Sequence, residues 1–187
     1  MERIGLIGTK GSGKDTLADY LVLNKNFIKY SFANPVKNIA KILFDLDDSQ
    51  LNGINKEVID TRWGISPRVM FQRLGTEFGH YKIYELFPEL KTKIKERELW
   101  LKMFKLFLEK HSDKNIVIAD VRFRHEADYL KKLNFNLIKI NRNKLNIDSH
   151  ISELELNSIT TIDYTINNNG SKEELYSNFE HFIYVPF

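Results

Sequence analysis

Gly8, Gly13 and Lys14 stand in the stretch Ile7-Gly8-Thr9-Lys10-Gly11-Ser12-Gly13-Lys14-Asp15-Thr16 at the spacing G-x-x-x-x-G-K-[ST] of a phosphate-wrapping loop. Glycines let the backbone turn its N–H groups from Gly11 to Thr16 inward, around phosphate oxygens at a helix N-terminus. Lys14 would reach the outer phosphates of a nucleoside triphosphate, and a lysine inside a glycine turn has no structural purpose of its own. The pattern breaks at Asp15, where serine or threonine is usual, and a hydroxyl follows only at Thr16. A carboxylate beside triphosphate oxygens repels them unless it faces Mg²⁺ or the N–H groups of the helix start. Asp15 and Thr16 are therefore both candidates for the metal.

The elements that would position this loop can be read on either side of it. Ile4, Leu6 and Ile7 form a short buried strand ending at Gly8, and Leu17 and Leu21 mark a helix from Lys14. Further strands are expected at Phe27–Phe32, Asn115–Ala119, Asn136–Asn141 and Asp163–Asn167. Between them, helical spacing groups Ile39, Ile42 and Leu43 after Pro35, then residues 68–79, then Leu99, Met103 and Leu106. Ala127, Leu130 and Leu133, and last Leu175, Phe179 and Phe182, mark two more helices. Residues 46–67 read as irregular and polar. Alternating strands and helices predict an α/β fold, a parallel five-stranded sheet covered on both faces in three layers. We expect one domain over 1–187, with a helical insertion at 46–114 and a short lid at 142–155.

The loop K-x-S-G-K-D-T resembles that of the bacteriophage-type and viral deoxynucleoside monophosphate kinases, for which aspartate after the lysine is the ordinary variant. Other segments are similar to that family in the same order. They are FANPVK (32–37), RVMFQRLGTE (68–77), Arg97 with Trp100, ADVRFRHEAD (119–128), RNKLNIDSHISE (142–153) and DYTINNNGSKEEL (163–175). The likeness runs from Ile4 to Leu175. Phe78-Gly79-His80 and the 46–67 insertion depart from it.

The resemblance implies a P-loop kinase fold whose insertion binds the acceptor. The activity it implies is transfer of the γ-phosphoryl group of ATP, with Mg²⁺, to a deoxynucleoside monophosphate. Gly11, Ser12, Gly13, Lys14, Asp15, Thr16, Asn168 and Gly170 would hold ATP. Lys10, Lys37, Arg68, Thr76, Arg97, Trp100, Asp120, Arg122 and Glu153 would hold the acceptor. Lys14, Arg68, Arg122 and Arg142 would act on the transferring group. That assignment agrees with the physics, because the reaction crowds about five phosphate charges together and needs positioning and neutralisation more than covalent chemistry. Arginine's planar fork grips phosphate bidentately. Asp120, at the carboxy end of a buried strand, could order water on Mg²⁺ or bind the acceptor. Trp100 could be core or could wall the acceptor base, and His150 could belong to the lid. Dephospho-coenzyme A kinase and phosphomevalonate kinase share the loop but not both R-x-x-x-Q-x-L-G-T-E and D-V-R-F. A donor-only binding module would leave the acceptor-side arginines without purpose.

Totals narrow the partners. A net charge of +3 on 187 residues suits a small anionic substrate and gives no reason to expect nucleic acid. The absence of cysteine removes disulfides and thiolate metal sites. No apolar run reaches the ~18 residues of a membrane span and no signal peptide is visible, so a cytoplasmic location is expected, the host's if the protein is viral. The resemblance also admits a homodimer.

Overall fold

The computed structural model describes residues 1–143 and 155–184. In chain order it contains β1 (Arg3–Ile7), α1 (Lys14–Lys25), β2 (Phe27–Tyr30), α2 (Ala33–Phe44), α3 (Asp48–Leu51) and α4 (Pro67–Gln72). A π-helical stretch (Arg73–Lys82) follows, then α5 (Ile83–Leu86), α6 (Leu99–Lys110), β3 (Asn115–Val121), α7 (Arg124–Lys132), β4 (Asn136–Asn141), β5 (Tyr164–Asn167) and α8 (Lys172–Tyr184). The chain divides into two compact units, one of residues 1–31 and 111–187, the other of Phe32–Lys110.

The first unit is a five-stranded sheet in the order β2-β3-β1-β4-β5, with every pairing parallel. Ile4 and Leu6 of β1, Val117 and Ala119 of β3, and Ile138 and Ile140 of β4 pack with Leu17, Ala18 and Leu21 of α1 and Leu175 and Phe179 of α8. Gly5 points to the opposite face, where a side chain would meet Leu130 of α7. Helices thus cover both faces, as βαβ crossovers require. From β1 the chain first moves to β2, then returns through β3 and crosses to β4. The carboxy end of β1 is therefore where the strand order reverses, the usual place for a ligand crevice in such sheets. Between Gly5 and Ile7 the register against β3 slips, so two residues of β3, Ala119 and Asp120, stand opposite Leu6 just before Val121. Bulges of this kind re-aim side chains next to sites.

The second unit is helical. Ala40, Leu46, Leu51 and Met70 form its core, with Phe44, Ile65, Phe71 and Leu74 packed against them. The helical spacing of α2 and α6 is as read from the sequence, but the residues it grouped are mostly not the buried ones. Val36 and Ala40 of α2 face inward, while Ile42 is 86% and Leu43 58% exposed. In α6 the buried side chains are Trp100, Leu101 and Phe104, while Met103 and Leu106 are exposed. Periodicity says which residues share a face; it does not say which face is covered. The segment 46–67, read as irregular, contains α3, a 3₁₀ turn at Ile54–Glu57 and a bridge between Asp60 and Ile65. Asp60 is pinned there by Arg62 and Gln50. Among the described residues no helix is long and apolar enough to cross a membrane.

Candidate active site

The glycine loop joins β1 to α1, and its backbone explains its composition. Gly11 and Gly13 take φ of +78° and +109°, which L side chains rarely adopt. Gly13 is the N-cap of α1 and brings no side chain, so it leaves the first amides of the helix to the loop. A Cβ at Gly13 would also collide with the amide nitrogen of Asn168. Ser12 is fully buried and Lys14 is 7% exposed. The Lys14 ammonium folds back over the loop, donating to the Thr9 carbonyl at 2.7 Å and to Ser12 Oγ at 3.5 Å. A buried lysine whose charge is held by loop oxygens is poised to exchange one of them for a phosphate oxygen.

Beside the loop lies a cavity of about 250 Å³. Gly11, Gly13, Lys14, Asp15 and Thr16 line it from the loop, Arg142 from the end of β4, and Asn168, Gly170, Ser171, Lys172 and Leu175 from the end of β5 and the start of α8. The structure thus brings together the donor-side residues expected from the sequence. Asn168 does more than line the cavity. Its side chain donates to the Ser12 carbonyl at 2.8 Å, and its backbone N–H donates to Asn141 O at 2.7 Å. It ties the loop to the strand end that carries Arg142. Asn168→Ala is expected to lower Tm by about 3–6 °C, because the buried Ser12 carbonyl loses a bond worth about 1–2 kcal/mol. The ATP KM should rise severalfold. A melting curve and an ATP titration check both, and an unchanged KM would show that the loop keeps its shape without the tether.

Asp15 has a partner that the sequence did not disclose. Lys29 of β2 sits 3.0 Å from Asp15 Oδ1 and 2.9 Å from Asp19 Oδ1. Burial works against the Lys29 ammonium, but hydrogen bonds to Asp19 and Asp15 outweigh it and hold its pKa above the usual lysine value. The Asp15 charge is thus offset by Lys29, which answers how a carboxylate can stand beside a phosphate cradle. The half-buried Thr16 lines the same cavity. The oxygen groups of Asp15 and Thr16 suit Mg²⁺, which is held by few protein ligands and completes its shell with phosphates and water. The described residues hold no group of three or more His, Cys, Asp or Glu side chains that could hold a metal ion.

At the carboxy ends of β2 and β3 a second polar group forms. Ser31 Oγ donates to Asp120 Oδ2 at 2.7 Å. Burial raises the Tyr30 phenol above its ordinary range, and the carboxylates of Asp120 and Glu126 raise it further. Half-buried Arg122 follows, and Lys10 of the loop is exposed.

In the second unit, Lys37 donates to Asn52 Oδ1 at 2.7 Å, and Arg68 Nε lies 3.9 Å from Glu57 Oε1. Thr76 is buried within the π-helical stretch. Arg97 takes a left-handed backbone at φ +68° and donates its N–H to His80 O. Trp100 is 5% exposed, and its indole N–H donates to Gly75 O at 2.8 Å. The ring is therefore built into this unit, a wall more than a free stacking surface. Glu153, His150 and most of the expected lid, residues 144–154, lie outside the described residues. Lys29 and Glu126 received no role from the sequence. An acid three residues after a loop position is half of a capping pattern, and this together with the family-like segment ADVRFRHEAD was the signal available for Glu126.

Comparison with known proteins bears on the identity. The family model "Deoxynucleotide monophosphate kinase" matches residues 3–60 and 44–179. A protein of Acanthamoeba polyphaga mimivirus, provisionally named a deoxynucleotide monophosphate kinase, is 42% identical over 185 residues, 95% of this chain and 93% of that one. The deoxynucleotide monophosphate kinase of Enterobacteria phage T4 is 25% identical over 99% of this chain and 100% of its own. Among solved structures, shikimate kinase from Aquifex aeolicus superposes with a TM-score of 0.53 at 18% identity, over 95% of this chain and 93% of that one, a likeness of fold. With its glycine loop at the reversal point of a parallel five-stranded sheet, the chain belongs to the deoxynucleotide monophosphate kinase family.

Proposed function

We propose that this kinase of deoxynucleoside monophosphates takes its phosphoryl group from the γ position of ATP, giving the deoxynucleoside diphosphate and ADP for DNA synthesis. The observation that carries the donor assignment is the buried Lys14 ammonium, held by loop oxygens at the edge of the cavity behind Arg142. Backbone amides of Gly11 to Thr16 receive the donor phosphates. Lys14 offsets charge on the outer ones and on the transferring group. Arg142 reaches the same group from the end of β4. Asn168 and Gly170 face the donor nucleotide from the end of β5. Mg²⁺ would be held at Asp15 and Thr16, where it supplies charge neutralisation for the phosphates.

The acceptor is assigned to Lys10, Asp120 and Arg122 of the first unit and to Lys37, Arg68, Thr76, Arg97 and Trp100 of the second, with Glu153 added from the sequence. Arg68 and Arg122 bear on the transferring phosphoryl group. No general base is required, because the acceptor phosphate is already anionic at neutral pH. We read the chain as one kinase domain in which 46–114 is an acceptor-binding insertion and 142–155 a lid. The viral and phage origin of the relatives favours action in a host cytoplasm.

An ADP-release assay with Mg·ATP tests this reading. The four common deoxynucleoside monophosphates, their ribose counterparts and dephospho-coenzyme A serve as acceptors. Turnover is expected on one or more deoxynucleotides. Activity confined to dephospho-coenzyme A, or ADP release independent of any acceptor, would overturn the assignment.

A further inference from the structure

Glu126, the third residue of α7, is 3% exposed. One of its oxygens, Oε2, accepts from two successive backbone amides, Arg122 N at 2.9 Å and Phe123 N at 3.1 Å. These two amides flank the Cα of Arg122. Holding both on one oxygen fixes the φ and ψ of Arg122, and so the direction in which its side chain leaves the chain. Two consecutive N–H groups converging on one acceptor form a nest, here filled by the protein's own carboxyl. The bond from Phe123 N is the reciprocal half of a capping box, in which an acid at the third helical position accepts from the N-cap amide; the bond from Arg122 N is the addition that an ordinary cap does not make. Glu126 reaches backwards out of α7 to the turn after β3.

We propose that Glu126 is a positioning residue for phosphoryl transfer, holding the turn after β3 so that Arg122 is aimed at the acceptor. This rests on the assignment of Arg122 given above. The electrostatics fit a carboxyl chosen for shape. Burial pushes it up to about 8, although the amide bonds from Arg122 and Phe123 pull it down; the Asp120 charge adds to the rise and the Arg122 charge opposes it. The Tyr30 phenol of β2 feels its charge. Near neutral pH, a share of the molecules therefore carries Glu126 protonated. An uncharged oxygen can accept the same two bonds, so geometry is what the site requires.

The test uses the whole enzyme with Glu126→Ala, Glu126→Gln, Glu126→Asp, Arg122→Ala and the double variant Arg122→Ala/Glu126→Ala. Acceptor KM, ATP KM and kcat are measured well below each melting midpoint. Glu126→Ala is expected to lose on the order of tenfold to a hundredfold in kcat/KM for the acceptor, the loss that a misplacement of about 1 Å produces. Its ATP KM should stay within about twofold, since the donor residues keep their own ties. Glu126→Gln should restore most of the loss, because its amide oxygen can take both bonds. Glu126→Asp, one methylene shorter, should not. The double variant should be no worse than Arg122→Ala alone, the mark of two residues acting as one unit. A purely structural role would lower Tm and the active fraction while leaving the acceptor KM of the folded enzyme unchanged, and that result would overturn the proposal. Additive losses in the double variant would do the same. Should Glu126→Ala not fold, the contrast between Gln and Asp decides. If Arg122→Ala is fully active, the assignment of Arg122 itself fails; if only Glu126→Ala is normal, the positioning role fails alone.

Discussion

Replacing Lys14 by methionine lowers kcat by about a thousandfold, equivalent to about 4 kcal/mol of transition-state stabilisation, while the protein stays folded. The size follows from where the charge sits. The Lys14 ammonium is buried with the loop oxygens of Thr9 and Ser12 as its neighbours. Charge that develops on the transferring phosphoryl group there meets a fixed cation where little water can reorganise. Methionine keeps the length of the side chain and removes only the charge, and burying a thioether costs less than burying an ammonium. Tm should therefore hold or rise slightly. Single-turnover ADP formation and a melting curve separate the two effects. If more than a tenth of the turnover survives in folded Lys14→Met, the loop is not where the phosphoryl group is stabilised.

The donor half of this site was legible because its information is local. A strand, three glycines and a lysine lie within a dozen residues, and the φ values at Gly11 and Gly13 leave those positions few other choices. The five strands were legible for a related reason: each is a short apolar run, and a parallel sheet buries such runs on both faces. What escaped depends on contacts distant in sequence. Lys29 offsets Asp15 only because β2 returns beside α1. Asn168 holds the loop from 156 residues away. Glu126 lies in the family-like segment ADVRFRHEAD, yet its role appears only once the turn after β3 folds both amides onto it. In the second unit helical spacing grouped Ile42 with Leu43 and Met103 with Leu106, but these residues are exposed. There Ala40 and Trp100, not the longest aliphatic run, mark the packed side.

Residues 68–79 read as helical from their spacing; from Arg73 to Lys82 the helix is π-helical, a form seen mostly where function or strain holds it. Its closest packing is at Gly79. A Cβ there would fall on the Trp100 ring, 2.6 Å from Cε2 and 2.7 Å from Nε1. The indole cannot simply turn away, because its N–H is bonded to Gly75 O one turn earlier and the ring is buried. Gly79→Ala should therefore destabilise despite alanine's better helix propensity of about 1 kcal/mol. Overpacking costs about 1–3 kcal/mol, and loss of the buried indole bond adds about 1–3 kcal/mol. The net loss of about 1–5 kcal/mol corresponds to a Tm fall of about 3–15 °C for a protein of this size. Thr76 and Trp100 are assigned to the acceptor, so the acceptor KM should rise while the ATP KM stays within about twofold. The smaller ring in Trp100→Phe frees the space where the new methyl would sit, so the double variant should recover part of the stability lost in Gly79→Ala. Thermal melts of the four proteins give this coupling directly. A stabilised Gly79→Ala would mean that the helix yields to the methyl, and that Trp100 does not set its shape.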